Sequence, residues 1–398
     1  MKIRLLLTAI LTFALCQVSF AKKDEETKKS YQFTIEKQLA STPVKDQHRS
    51  GTCWAYAMNS FLESELIRKG KGEFDLSEMF IVNRNYHLRA KDYVRFHGMK
   101  SFSAGAEGWD ALNVIKKFGI LPQEVYTGNT FDETLPVHGE MDAILKAYVD
   151  AVVKNKNKKL TPIWRKGFDG VLDAYLGEIP ESFTYKGKEY TAESFTSDLG
   201  LNMDDYVTIT SYTHHPFYES FIFEGADNWS LGEVLNVPMD EMMQVVDHAI
   251  EKGYTIAWGS DVSEKGFAFR KGVAVVPETE SKNMADSEIS KWQNMSRDQK
   301  SAYGTDYPVK EKEITQEMRQ VAFDNYESTE DHMMHIVGTA KDQNGTKYYL
   351  VKNSWGTDRN EYGGFFYASE AWIKYKSISV MLHKDALPIE IAKKLRLK

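Results

Sequence analysis

The stretch "DQHRSGTCWAYA", Asp46 to Ala57, places Cys53 directly before a run of helical periodicity. A cysteine at a helix N-terminus gains nucleophilicity because the aligned peptide dipoles favour its thiolate. A neighbouring imidazolium does more, taking the thiol pKa from ~8.5 to ~3–4 in the strongest cases. A lone cysteine is nonetheless more often a small buried core residue, so the nucleophile reading depends on partners elsewhere in the chain. "EDHMMHIVGTA" supplies His332 just before a predicted strand, and "VKNSWG" supplies Asn353 on the return strand. An asparagine carbonyl there can accept the imidazole N–H and fix the ring without competing for its proton. Trp355 can cover that bond against water. Gln47 sits on the loop that leads into Cys53, so its side-chain amide and the Cys53 backbone N–H are the candidate oxyanion donors, each worth ~10²–10³ in rate.

Three helices and a hairpin must position these groups. After Cys53, Ala57, Met58, Phe61, Leu62 and Leu66 recur at helical spacing, with Arg68 and Lys69 in the last turn and Gly70 as the stop. A second helix is predicted over Glu140 to Val153, burying Met141, Ile144, Leu145, Tyr148 and Val152. A third follows Pro238 and buries Met242, Val245, Val246, Ala249 and Ile250, ending at Gly253. His335 to Ala340 and Lys347 to Lys352 read as strands joined around Asn344-Gly345, because both turn residues tolerate positive φ. Phe365 to Tyr367 and Ser377 to Leu382 add further strands. Helices early and an antiparallel sheet late make an α+β protein, with a mixed, mostly helical stretch at roughly 127–330 between the halves.

The N-terminus reads as an address. Lys2 and Arg4 precede an apolar run from Leu5 to Leu15, and Ser19-Phe20-Ala21 offers small residues for cleavage, so residues 1–21 are expected to be a secretory signal peptide. Lipid anchoring at Cys16 is the lesser alternative. The expected product is an exported protein, periplasmic or extracellular, whose domain spans 22–398. Removal of Cys16 leaves Cys53 as the single cysteine, so no internal disulfide can form, and a lone thiol in an oxidising compartment calls for a reason. The formal net charge of −7 and the lack of a basic block argue against nucleic acid or an anionic membrane as partners.

"STPVKDQHRSGTCWAYA", "DHMMHIVG" and "KNSWG" together resemble the papain-type cysteine peptidases, and more narrowly their bleomycin hydrolase/aminopeptidase C branch. Papain-type enzymes separate nucleophile and histidine by ~130–150 residues. Here the separation is about twice that, and a long helical insertion between the halves marks this branch. "ITQEMRQVAFDNYESTEDHMMHI" and "AIEKGYTIAWGSDV" resemble it as well, so the likeness runs from about Ser41 to about Ile391. It implies a papain-like fold, with Cys53 as nucleophile, His332 as general base and then acid, Asn353 as orienter and Gln47 as oxyanion donor. "SAGAEGWDAL" resembles the glycine-rich wall along which substrate lies, which implies substrate contacts at Gly105 and Gly108, with Trp355 beside them. Ser50 stands where many relatives carry a disulfide cysteine. His48 replaces a customary glycine, and Met333 a customary small residue. The branch is associated with hexamers, which makes a homo-oligomer the implied assembly. It also uses a C-terminal arm whose carboxylate restricts cleavage to free N-termini. "KDALPIEIAKKLRLK" reads as the helix before such an arm, so the arm is expected to be absent or replaced.

Other groups have plainer readings. His335, three residues after His332, would face the opposite side of a strand and pack rather than bind a metal. His214 and His215 read as a loop pair, Asp331 as a loop carboxylate able to raise the His332 pKa, and Met242/Met243 as helix core. "GAEG" lacks a phosphate-binding context. The expected function is peptide-bond hydrolysis by a Cys-His-Asn triad, with peptides as substrates and no metal or organic cofactor. Aminopeptidase activity is favoured over endopeptidase. Acyl or peptidyl transfer on the same triad, and a non-catalytic binding protein, are the alternatives.

Overall fold

The computed structural model describes residues 30–130, 135–157, 159–280, 284 and 286–397. The expected signal peptide and Cys16 lie outside them. The chain opens with β1 (Thr34–Gln38), then α1 (Cys53–Arg68), α2 (Glu78–Arg95), α3 (Gly108–Phe118), α4 (Gly139–Val153) and α5 (Ile163–Leu176). A small hairpin, β2 (Phe183–Tyr185) and β3 (Lys188–Tyr190), and α6 (Ala192–Leu199) complete the helical half. The stretch that follows turns to strands: β4 (Tyr206–Thr210), β5 (Ser220–Ile222), β6 (Glu233–Asn236), and, after α7 (Met239–Lys252), β7 (Ile256–Ser260), β8 (Phe267–Ala268) and β9 (Val273–Ala274). Helices α8 (Asp286–Asn294), α9 (Arg297–Ala302) and α10 (Gln316–Asp324) lead to β10 (His332–Lys341), β11 (Lys347–Lys352), β12 (Phe365–Ser369), α11 (Glu370–Lys376), β13 (Ser377–His383) and α12 (Ile389–Lys394).

The main sheet runs β5-β6-β4-β13-β7-β10-β11-β12-β9-β8. β10 is its pivot: its first half pairs with β7, while beyond Gly338 the same edge takes β1. The pleat sends alternate residues to opposite faces. Met333 joins a core with Trp54, Met58, Phe61 and the other helices of the first half, whereas Met334 and Ile336 join a second core under α7 and α12. Each face of the sheet thus has its own hydrophobic layer, an α+β architecture as expected.

The helix after Cys53 matches its expected span, and Ala57, Met58, Phe61, Leu62 and Leu66 are all buried. α7 buries its five expected residues and stops at Gly253, whose φ of 88° only glycine adopts cheaply. α4 differs: Met141, Leu145 and Val149 form its buried face, while Ile144 is exposed. That helix touches its neighbours along a single i, i+4 ridge, narrower than the periodicity suggested. His332 also differs, being the first residue of β10 and paired with Ser260 of β7. A neighbouring strand distant in sequence extended the element. Among the described residues, no helix is long and apolar enough to cross a membrane.

Candidate active site

Cys53 opens α1, and the turn before it is closed by Ser50. The Ser50 hydroxyl and amide both donate to the Gln47 carbonyl, at 2.8 and 3.1 Å. A hydroxyl therefore does locally what a disulfide cysteine would do at this position. The same loop is tied to the other half of the molecule. Gln47 N–H donates to Ser354 O at 2.8 Å, Gly356 N–H donates to Lys45 O at 3.2 Å, and Asp46 bridges Trp355. Gln47 is buried, and its Oε1 accepts the Ser354 hydroxyl at 2.7 Å. With the carbonyl end so occupied, the amide hydrogens of Nε2 are left for another acceptor.

His332 Nε2 lies 2.7 Å from Asn353 Oδ1. The same oxygen accepts the Ser354 amide at 2.8 Å, which fixes the Asn353 amide orientation because a backbone N–H needs an acceptor. Nε2 therefore carries the imidazole proton and Nδ1 is the basic nitrogen. Trp355 lies over the imidazole, with ring centroids 4.7 Å apart and planes at 31°. Phe267 and Phe269 pack edge-on against the Trp355 indole from elsewhere in the sheet. The cover expected of Trp355 is present.

The backbone amides of Met333 and Trp54 reach the Cys53 sulfur, which sets the thiol against the residue that follows His332. Burial pushes the Cys53 thiol up to about 11, with the carboxylates of Asp227 and Glu330 acting in the same direction and the two amides against it. Burial draws His332 down to about 4, and its bond to Asn353 offsets only part of that. Both shifts favour the uncharged forms, thiol and imidazole, over the thiolate anticipated from the helix N-terminus. Desolvation outweighs the helix dipole here.

The two wall glycines part company. Gly105 runs alongside the start of α1, where Trp54 Nε1 donates to Ala104 O at 3.0 Å. Its own carbonyl accepts from the buried Arg89 guanidinium, and a Cβ built on it would lie 1.9 Å from Asp227 Oδ2. Gly108 is a packing residue: a Cβ there would meet Met333, Met381 and Met58 side chains at 2.6–3.1 Å. It begins α3 inside the core and does not face a cleft.

His335 is buried in packing as expected, on the α1 side of the strand, with Nδ1 2.8 Å from Ser60 Oγ. Asp331 turns away from His332 toward the Val262 amide and the Thr329 hydroxyl. His214 and His215 both meet Glu224, at 2.6 and 3.1 Å, forming a cluster whose donors hold one another. Spacing arguments missed Ser354, Asp227 and Glu330. Ser354 was visible as the residue after Asn353. Asp227, in "EGADNWS", carries no local signal linking it to Cys53.

The Peptidase C1-like family profile matches residues 309–398, which include His332 and Asn353. Aminopeptidase C of Lactococcus lactis subsp. lactis (strain IL1403) is 22% identical over 90% of this chain and 84% of its own length. Aminopeptidase C of Streptococcus thermophilus is 23% identical over 94% and 86%. The crystal structure of PepW from Lactobacillus rhamnosis HN001 superposes with a TM-score of 0.68 at 19% identity, covering 92% of this chain and 85% of that one. That likeness establishes the papain-like fold. Relatives named aminopeptidase C run along most of the chain's length beside it.

Proposed function

We propose that the protein is a cysteine aminopeptidase acting through Cys53, His332 and Asn353. The observation that carries this reading is the His332–Asn353 bond under Trp355, on the strand whose Met333 amide touches the Cys53 sulfur. The neutral His332 Nδ1 takes the thiol proton as Cys53 Sγ adds to the scissile carbonyl. The developing oxyanion is stabilised by the Cys53 N–H and the Gln47 amide, which Ser354 holds by its other end. His332 then gives its proton to the leaving amine. Water, deprotonated by the same imidazole, resolves the thioester to a free acid and restores the thiol. The relatives named aminopeptidase C support an exopeptidase on peptide substrates. The basic and apolar N-terminus supports export, with residues 1–21 as the signal.

The test is Cys53→Ala, assayed on aminoacyl and peptidyl aminomethylcoumarins alongside a folding check by circular dichroism. Turnover should vanish while the spectrum is retained. Wild-type rates persisting in that variant would exclude the mechanism.

A further inference from the structure

A peptidase that acts only at free N-termini needs a group that stops the substrate one residue beyond the scissile bond and rewards a positive charge there. The loop after β5 carries such a group. Asp227 lies over Gly105, the neighbour of Ala104 whose carbonyl accepts from the Trp54 indole, and its Oδ2 is in contact with the glycine α-carbon. Its Oδ1 is held by the Ser103 hydroxyl at 3.0 Å and lies 3.9 Å from Arg89 Nη2. Oδ2 has no hydrogen-bond partner among the described residues. The loop itself is pinned by Asn228, whose Nδ2 donates to the Phe223 and Gly232 carbonyls at 2.7 and 3.0 Å and whose Oδ1 accepts from Trp109 Nε1 at 3.2 Å. Asp227 is therefore preorganised.

A second carboxylate completes the site. Glu330, two residues before His332, accepts the Asp227 backbone N–H. Its Oε2 is buried without a partner, against Gly225, where a Cβ would come within 2.4 Å of it. Both carboxylates act on the Cys53 thiol, so both lie within electrostatic reach of the reacting atoms. The local counter-charge is Arg89, whose donors are already spent on the Ser101, Ser103 and Gly105 carbonyls and the Ser101 and Ser103 hydroxyls. One saturated guanidinium faces the Asp227 carboxylate, whose Oδ2 is the open acceptor. Behind it lies Glu330, whose carboxyl is pushed up to about 7 by burial and whose Oε2 is enclosed without a partner. A primary ammonium, with three donors and one positive charge, is the complementary group.

We propose that Asp227, backed by Glu330 through its own amide, binds the α-ammonium of the substrate's first residue, and that Asp227, seated on Gly105, bars any chain extending beyond it. The selectivity for free N-termini is thus built into the internal 225–231 loop. This proposal rests on the aminopeptidase reading above.

The test compares wild type, Asp227→Asn, Glu330→Gln and Asp227→Ala on phenylalanyl-aminomethylcoumarin, its N-acetyl counterpart and a benzyloxycarbonyl-dipeptidyl-aminomethylcoumarin. Wild type should prefer the free amine by about 10²-fold in kcat/KM. Each amide variant should lose roughly tenfold or more on the free amine, mainly through KM, with no parallel fall on the acetylated substrate. Asp227→Ala should also gain cleavage of the blocked dipeptide, which an unfolded protein cannot do. Stoichiometric labelling of Cys53 by iodoacetamide verifies that each variant keeps its site. Amide variants that retain the wild-type ratio of free to acetylated rates, or a wild type that cleaves both equally, overturn the proposal. Failure of the triad reads out separately, as turnover persisting in Cys53→Ala.

Discussion

Gln47 and Ser354 are joined twice: the Gln47 N–H donates to the Ser354 carbonyl at 2.8 Å, and the Ser354 hydroxyl donates to Gln47 Oε1 at 2.7 Å. The backbone bond sets the distance between the Cys53 loop and the Asn353 loop, and the side-chain bond sets which end of the Gln47 amide faces away. Gln47→Ala should therefore lower kcat by about 10²–10³, the usual effect of losing one oxyanion donor. Ser354→Ala keeps the donor and the backbone bond and should lose only a fraction of that, with KM little changed. A Ser354→Ala loss as large as that of Gln47→Ala would mean the hydroxyl acts on the substrate itself.

The His332 shift makes a prediction about pH. Its folded pKa is lowered from 6.5 to about 4, so the neutral imidazole that accepts the thiol proton persists above about pH 4 and is lost as pH falls through that value. The acid limb of kcat/KM should accordingly lie near pH 4, well below an ordinary histidine limb. Asn353→Ala removes the one influence that raises the His332 pKa, so the limb should move lower still while kcat falls by roughly 10²-fold from lost orientation. The same shift links to folding: the unfolded chain binds a proton at His332 between pH 6.5 and 4 that the folded chain refuses, so this contribution to stability fades as pH falls through that window. Near-UV circular dichroism recorded along the pH–rate profile separates the two effects. A limb centred between 6 and 7 would show that His332 is not the neutral base.

Much of this site could be read from residue types because its parts lie at the ends of strongly patterned elements. Cys53 precedes an apolar helical period, and His332 and Asn353 flank a hairpin signalled by Asn344-Gly345. The upward shift of the thiol was not legible in that way: a helix N-terminus is local, whereas burial and the charges of Asp227 and Glu330 come from packing and from segments distant in sequence. The short strands β4 to β9 were equally hidden, since two to five residues carry too little period to distinguish them from loops. Asp227 reaches Gly105, and Glu330 reaches the Asp227 amide, through loop geometry alone, which no spacing rule encodes.

Beneath Asn353 lies a buried charged network with its own consequence. Lys352 Nζ donates to Ser60 Oγ at 2.7 Å and to Thr42 Oγ1 at 3.0 Å, and Thr42 Oγ1 donates to Glu63 Oε2 at 2.5 Å. Burial draws Lys352 down to about 8 against the pull of Glu63, and pushes Glu63 up to about 7 against the pull of Lys45, whose Nζ lies 3.8 Å from its Oε1. Lys352→Met should cost about 1–3 kcal/mol, because it leaves the buried Ser60 and Thr42 hydroxyls without their donor, while Lys45 still faces Glu63. The Lys352→Met/Glu63→Gln double should cost less than the sum of the singles, since Glu63 acts on Lys352. Urea unfolding of the two singles and the double measures this. Strictly additive losses would show that the two groups do not interact.

His48, where the papain-type pattern has a glycine, adopts φ of 46°. The backbone there is left-handed, which explains the glycine preference and makes the histidine a strained residue. Two features offset the strain: the His48 N–H donates to Asp46 Oδ1 at 2.7 Å in a local turn, and histidine tolerates this region better than branched residues do. The side chain adds a cost, since its Nδ1 is buried with no hydrogen-bond partner. His48→Gly keeps the Asp46 bond, removes both the Cβ conflict and the orphaned nitrogen, and should raise stability by about 0.5–1 kcal/mol. The cost of ordering a more flexible glycine keeps the gain this small. His48→Val should lose stability, because a β-branched residue is an outlier at positive φ. The order Gly above His above Val in urea midpoints tests the account. A His48→Gly protein less stable than wild type would mean that the imidazole makes a stabilising contact outweighing its strain.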